Sequence, residues 1–172
     1  MGSESGNIQS LLAKVKAFEK GEKMDLSSAE DLSIAVMNLI SIEEHLFFSG
    51  AKTGNSKYYE LVGQVREMRK SLLKKVIKDY QGEDWCISKH LLAGCMRLME
   101  VGTKSLTTGQ KEEAEEFFKM AYHLYELFWS LNLKLLKTSD LKEIETKDSD
   151  SSKGFISKLG EIIKKAIDCC KE

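Results

Sequence analysis

The chain has 172 residues, enough for one domain with a substantial core, and it contains no proline. Its net charge of −1 creates no overall field that would attract nucleic acid or an anionic membrane. Cys86 and Cys95 lie about 13 Å apart along a helix, too far to bridge, and Cys169 and Cys170 are adjacent. These features exclude a disulfide framework and predict reduced thiols in the cytoplasm.

The first predicted element is a short amphipathic helix that follows a polar start at Met1–Gly6, which does not resemble a signal peptide. Asn7 can cap this helix, and Gly21 ends it. No apolar run in the sequence reaches the length that we expect of a transmembrane helix.

The second predicted helix spans about 25–49, with a capping box formed by Ser27 and Glu30 and closing residues at 50–56. Its apolar stripe comprises Leu32, Val36, Leu39, Ile40, Leu46 and Phe47. Glu43 lies in the middle of this stripe. The carboxylate either extends to water near the helix end or is buried, in which case it needs a partner.

The third predicted helix spans about 57–80 and supplies that partner. Arg69 falls inside its apolar stripe and Arg66 on the shoulder. If the two helices form an antiparallel hairpin, Arg66 or Arg69 can reach Glu43. We therefore predict a partly buried ion pair that specifies packing rather than catalysis.

The fourth predicted helix, about 84–105, has two distinct faces. One is apolar, while Cys86, His90 and Arg97 fall on another, next to Ala93 and Gly94. Cys86 and His90 are spaced i, i+4, which allows both to reach one metal ion, and zinc suits these ligands but requires three or four of them. Two hypotheses follow: a buried thiol beside a hydrogen-bonded histidine, or a groove for a metal or small ligand lined by these three residues. No catalytic residue is predicted, because a helix interior offers no free amides for an oxyanion hole.

The fifth predicted helix spans about 111–137, and a polar linker at 138–153 follows it. Residues 154–172 then form an amphipathic helix whose apolar face is flanked by lysines. This helix is marginal on its own. Its apolar face therefore packs on the bundle, on a protein partner or second copy, or on a membrane surface.

Two stretches resemble known families. Leu98, Val101, Gly102, Gly109 and an Ala-x-x-x-Phe-x-x-Ala pattern from Ala114 resemble one tetratricopeptide-repeat hairpin over 98–121, which implies close helix packing. The segments SIEEHLFFSGAKTG, VREMRK and WCISKHLLAGCMRLMEVGTK resemble an uncharacterised all-helical family of small-genome uncultivated bacteria over about 25–136. That resemblance implies a stand-alone cytoplasmic helical protein and assigns no residue a role.

The sequence as a whole predicts an all-α fold, an antiparallel four-helix bundle core with additional amphipathic N- and C-terminal helices. The predicted domains are a bundle at 1–137, the linker, and the helix at 154–172. The expected function is that of a non-enzymatic interaction module whose partner is a protein or the chain itself. The alternative is a bundle that binds a metal, with zinc as the candidate cofactor, or a small ligand through Cys86, His90 and Arg97.

Overall fold

The computed structural model describes residues 27–78 and 83–136, and these residues form four helices without a strand. They are α1 (Ser27–Thr53), α2 (Lys57–Val76), α3 (Asp84–Thr107) and α4 (Lys111–Asn132). The predicted all-α bundle is confirmed. The predicted N-terminal helix, the linker at 138–153 and the helix at 154–172 lie outside the described residues.

Helix α1 continues past its expected end because Gly50 is a helical residue rather than part of the turn. A Cβ atom at Gly50 would lie 2.8 Å from the ring of Tyr59, so the glycine allows α2 to start close against α1. Gly54 has a φ of +68° and its N–H bonds to the Gly50 carbonyl, which ends the helix.

Helices α2 and α4 end earlier than the sequence suggested. Ile77 is extended, with φ −100° and ψ 97°, and terminates α2. Helix α4 ends at Asn132, and Lys134 follows with a φ of 56°. The apolar pattern continues beyond both ends, which is why periodicity alone placed the boundaries too far along the chain.

The chain divides into two compact units, of which the first is Ser28–Tyr125. In this unit, α3 and α4 pack closely because Gly102 leaves room for Phe118: a Cβ at Gly102 would lie 2.7 Å from that ring. Helix α1 meets α4 through the hydroxyls of Ser33 and Tyr125, 2.7 Å apart. The fully buried side chains of the unit include Val36, Leu73, Leu92 and Ala114.

Residues 126–136 belong to the second unit. Phe128 and Trp129 are fully buried there, and their rings meet edge to face with centroids 5.2 Å apart. The Ser130 hydroxyl donates to the Glu126 carbonyl at 2.6 Å. Aromatic burial therefore characterises the described part of this unit.

Helix α1 corrects one expectation from the sequence, because it is long and apolar enough to cross a membrane. Its most apolar window has a mean hydropathy of 1.2 and is 17% buried. Core helices of soluble proteins have the same length and composition. Glu43 and Glu44 interrupt the apolar run of this helix, so its length is not evident from the sequence.

Candidate interaction surface

Glu43 and Arg69 are brought together between α1 and α2. Arg69 donates from Nε to Glu43 Oε1 and from Nη2 to Oε2, the second bond being 3.3 Å long. The Arg69 side chain is 3% exposed and that of Glu43 is 16% exposed. Arg66, the other arginine considered for this role, is exposed. The two-pronged geometry is what a planar guanidinium provides, so the pair fixes the register of the hairpin.

Glu44, the next residue of α1, forms an ion pair with Arg97 of α3. Arg97 also donates from Nη1 to Glu100 Oε2 on its own helix. All three side chains in this cluster are at least 40% exposed. Arg97 therefore pairs with two surface carboxylates, and it links α1 to α3.

Cys86 and His90 both lie on the exposed surface of α3, which differs from the expectation of a buried thiol beside a histidine. The face that carries them is open because the buried side of α3 is formed by Ser88, Leu92, Cys95 and Gly102 instead. Gly94, predicted to lie next to Cys86, His90 and Arg97, faces Leu124 of α4.

No three residues among the His, Cys, Asp and Glu of the described ranges lie close enough together to hold a metal ion. The zinc hypothesis thus has two exposed side chains as its candidate ligands in this part of the chain. Cys95 is the buried thiol of α3, and burial raises its pKa to about 11.

A shallow groove of about 610 Å³ runs between α1 and α2. It is lined by Ala35, Asn38, Leu39, Met68, Ser71 and Leu72. Four of these six side chains are apolar, so the groove offers a mostly apolar surface at the side of the hairpin.

The groove lies along two rows of apolar residues with coiled-coil spacing. The α1 row is Ala35, Leu39, Ile42 and Leu46, and the α2 row is Leu61, Val65, Met68 and Leu72. Both rows advance by four, three and four residues, the alternation that keeps a and d positions on one side of a helix. We call these eight residues the open seam.

No residue of the open seam is buried, although all eight are apolar. Met68 is 56% exposed, Ile42 45% and Leu61 43%. The other five residues are half-buried. An apolar surface that remains partly open to water is a feature of interaction sites. Leu39 and Leu46, which belong to the predicted apolar stripe of α1, are half-buried, whereas Leu61 and Met68 of α2 are exposed.

The heptad spacing was a signal in the sequence that could have separated this surface from the core. The core residues of α1, among them Ser33, Val36 and Met37, lie on the other side of the helix from Ile42. A broad apolar stripe with this spacing indicates two faces rather than one. The buried face of α1 was hard to recognise in the sequence, because a polar residue such as Ser33 is not expected in a core.

Lysines predominate at the edges of the open seam. Lys52 of α1 and Lys57 and Lys75 of α2 are exposed at these edges. Over both helices five exposed cations, these three lysines with Arg66 and Lys74, stand against three exposed carboxylates, Asp31, Glu60 and Glu67. None of the three lysines forms an ion pair with a described residue. The surface thus combines an apolar centre with a net positive edge.

The chain was compared with protein families, curated proteins and solved structures. No family model matches the chain, and no curated protein and no solved structure matches it.

Proposed function

We propose that this protein is a non-enzymatic helical interaction module that acts in the cytoplasm and binds a protein partner through the open seam. The observation that carries the proposal is that eight apolar residues with coiled-coil spacing are left without full burial on one side of the α1–α2 hairpin. Burying such a surface provides the main driving force for protein association.

Site-specific photo-crosslinking in cells tests this proposal. A photoreactive residue at Met68 should yield a discrete adduct with another protein, because Met68 is the most exposed large residue of the open seam. Met120 of α4 is the matched control, since it is 47% exposed and lies outside the open seam. The proposal fails if neither position gives an adduct, or if both give the same adducts.

The alternative of a metal or small-ligand site at Cys86, His90 and Arg97 stays a hypothesis. Metal content of the purified protein, measured beside a Cys86→Ser/His90→Ala variant, decides it. Zinc that is present in the parent and lost in the variant would favour this alternative.

A further inference from the structure

We infer that the partner segment bound by the open seam is an amphipathic α-helix whose apolar face is flanked by Asp and Glu. This inference rests on the proposed function and specifies the chemistry of the partner. It combines the spacing of the open seam, the groove between its two rows and the charge at its edges.

The spacing and the groove together indicate a helix as the occupant. Two antiparallel helices with a/d rows on the same side form two ridges with a depression between them, and the structure has that depression between Leu39 and Met68. A third helix with apolar residues at the same spacing fits its side chains into the holes between these ridges.

The charge at the edges selects acidic flanking residues in the partner. Lys57 and Lys75 lie at the two ends of the α2 row, and Lys52 lies near the end of the α1 row. The positions that run beside the α2 row between the two lysines, Gln64 and Ser71, are neutral. Carboxylates at the e and g positions of a partner helix would therefore meet these lysines, because the exposed acids of α2, Glu60 and Glu67, are outnumbered by its exposed cations.

The same charge disfavours the other occupants of this surface. The segment 154–171 of this chain carries four lysines against Glu161 and Asp168, and a second copy would bring the same lysine-edged surface. An anionic bilayer attracts lysine, but interfacial surfaces favour aromatic residues, and the open seam contains none. The groove between the two rows also accommodates a helix better than a flat membrane surface.

Two stapled helical peptides provide the direct test with the full-length protein. Both have Leu at positions a and d, one has Glu at e and g, and the other has Lys there. Fluorescence anisotropy at low salt should show the Glu peptide binding about tenfold more tightly, and added salt should reduce the difference. In a Lys57→Glu/Lys75→Glu variant the preference should reverse.

Two further variants separate loss of the surface from loss of the fold. Met68→Asp places a charge in the open seam and should weaken the Glu peptide at least tenfold while the circular dichroism spectrum is retained. Met99→Asp on α3 introduces the same charge at a residue that is 45% exposed and outside the open seam, and it should leave binding unchanged.

The inference is overturned if the two peptides bind equally, which leaves the proposed function intact because an apolar docking surface would remain. It is also overturned if neither peptide binds. Vesicles containing phosphatidylserine that bind the parent but not Met68→Asp would identify lipid as the occupant instead. A dimer mass in solution that Met68→Asp abolishes would identify a second copy.

Discussion

Two adjacent glutamates of α1 show how far burial determines the value of an ion pair. Glu43 meets an arginine that is 3% exposed, whereas Glu44 meets one that is 45% exposed. Water and salt screen the second pair but hardly reach the first. The two residues are therefore matched probes of the same interaction in different surroundings.

Replacing Glu43 by alanine should lower the free energy of unfolding by about 3 kcal/mol, because it leaves the buried guanidinium of Arg69 without its carboxylate. Urea denaturation measures the loss. Glu44→Ala is the control and should cost about 0.5 kcal/mol, as expected for an exposed pair. Equal midpoints for the two variants would show that the Glu43–Arg69 pair does not stabilise the fold in this way.

The two cysteines of α3 should differ sharply in reactivity. Cys86 is exposed and open to reagents, while Cys95 is buried and its pKa of about 11 keeps that thiol protonated near pH 8. In a Cys169→Ser/Cys170→Ser background, mass spectrometry should find Cys86 alkylated rapidly and Cys95 only after denaturation. Rapid alkylation of Cys95 in the folded protein would contradict its burial.

The same pKa predicts a loss of stability at alkaline pH. An ordinary cysteine pKa of 9.0 applies to the unfolded chain, and the folded value is about 11. The unfolded state therefore releases this proton first as the pH rises, and stability falls between these two values. The Cys95→Ala variant should be less stable at neutral pH, but its free energy of unfolding should fall less steeply as the pH rises. Urea denaturation at several pH values measures this dependence.

At the scale of helix packing, the glycines of α2 and α3 give opposite predictions. Gly102→Ala should lower the free energy of unfolding by about 1 kcal/mol, because crowding against Phe118 exceeds the gain in helix propensity. Gly63→Ala meets no atom within 4 Å and should raise it by up to about 1 kcal/mol. Thermal melts of both variants test the prediction, and stabilisation by Gly102→Ala would mean that Phe118 moves aside freely.

Four of the helices expected from periodicity occur in the structure, because Leu, Ala, Lys and Glu at helical spacing leave few alternatives. The predicted ends of the helices were less accurate. Gly50 was expected to break α1, yet a glycine can also serve a close approach between helices, as it does beneath Tyr59. Sequence alone does not distinguish these two uses.

The candidate surface was harder to derive than the fold, because an apolar residue looks the same whether it faces the core or a partner. Leu61 and Met68 fit the periodic stripe of α2 and are nevertheless exposed. Ser33 and Ser88 are buried and were not expected to be. Small hydroxyl residues that bond to a neighbour, as Ser33 does to Tyr125, shift the buried side of a helix away from its apolar stripe.

At the scale of the whole molecule, the ion pairs of α1 bear on its relation to membranes. The two acidic residues in its apolar stretch pair with Arg69 of α2 and Arg97 of α3. A single helix inserted in a bilayer would lose both partners, which is costly in hydrocarbon. We therefore expect the protein in the soluble fraction of lysed cells after an alkaline carbonate wash. Recovery in the membrane pellet would instead favour α1 as a membrane span.

The open seam also has a consequence for protein synthesis. The α1–α2 hairpin leaves the ribosome before α3, so its core face and its open seam are both exposed to other nascent chains at that time. Completion of the bundle covers the first face and leaves the second. If the proposed partner covers the open seam, co-expression with it should reduce the aggregated fraction of this protein.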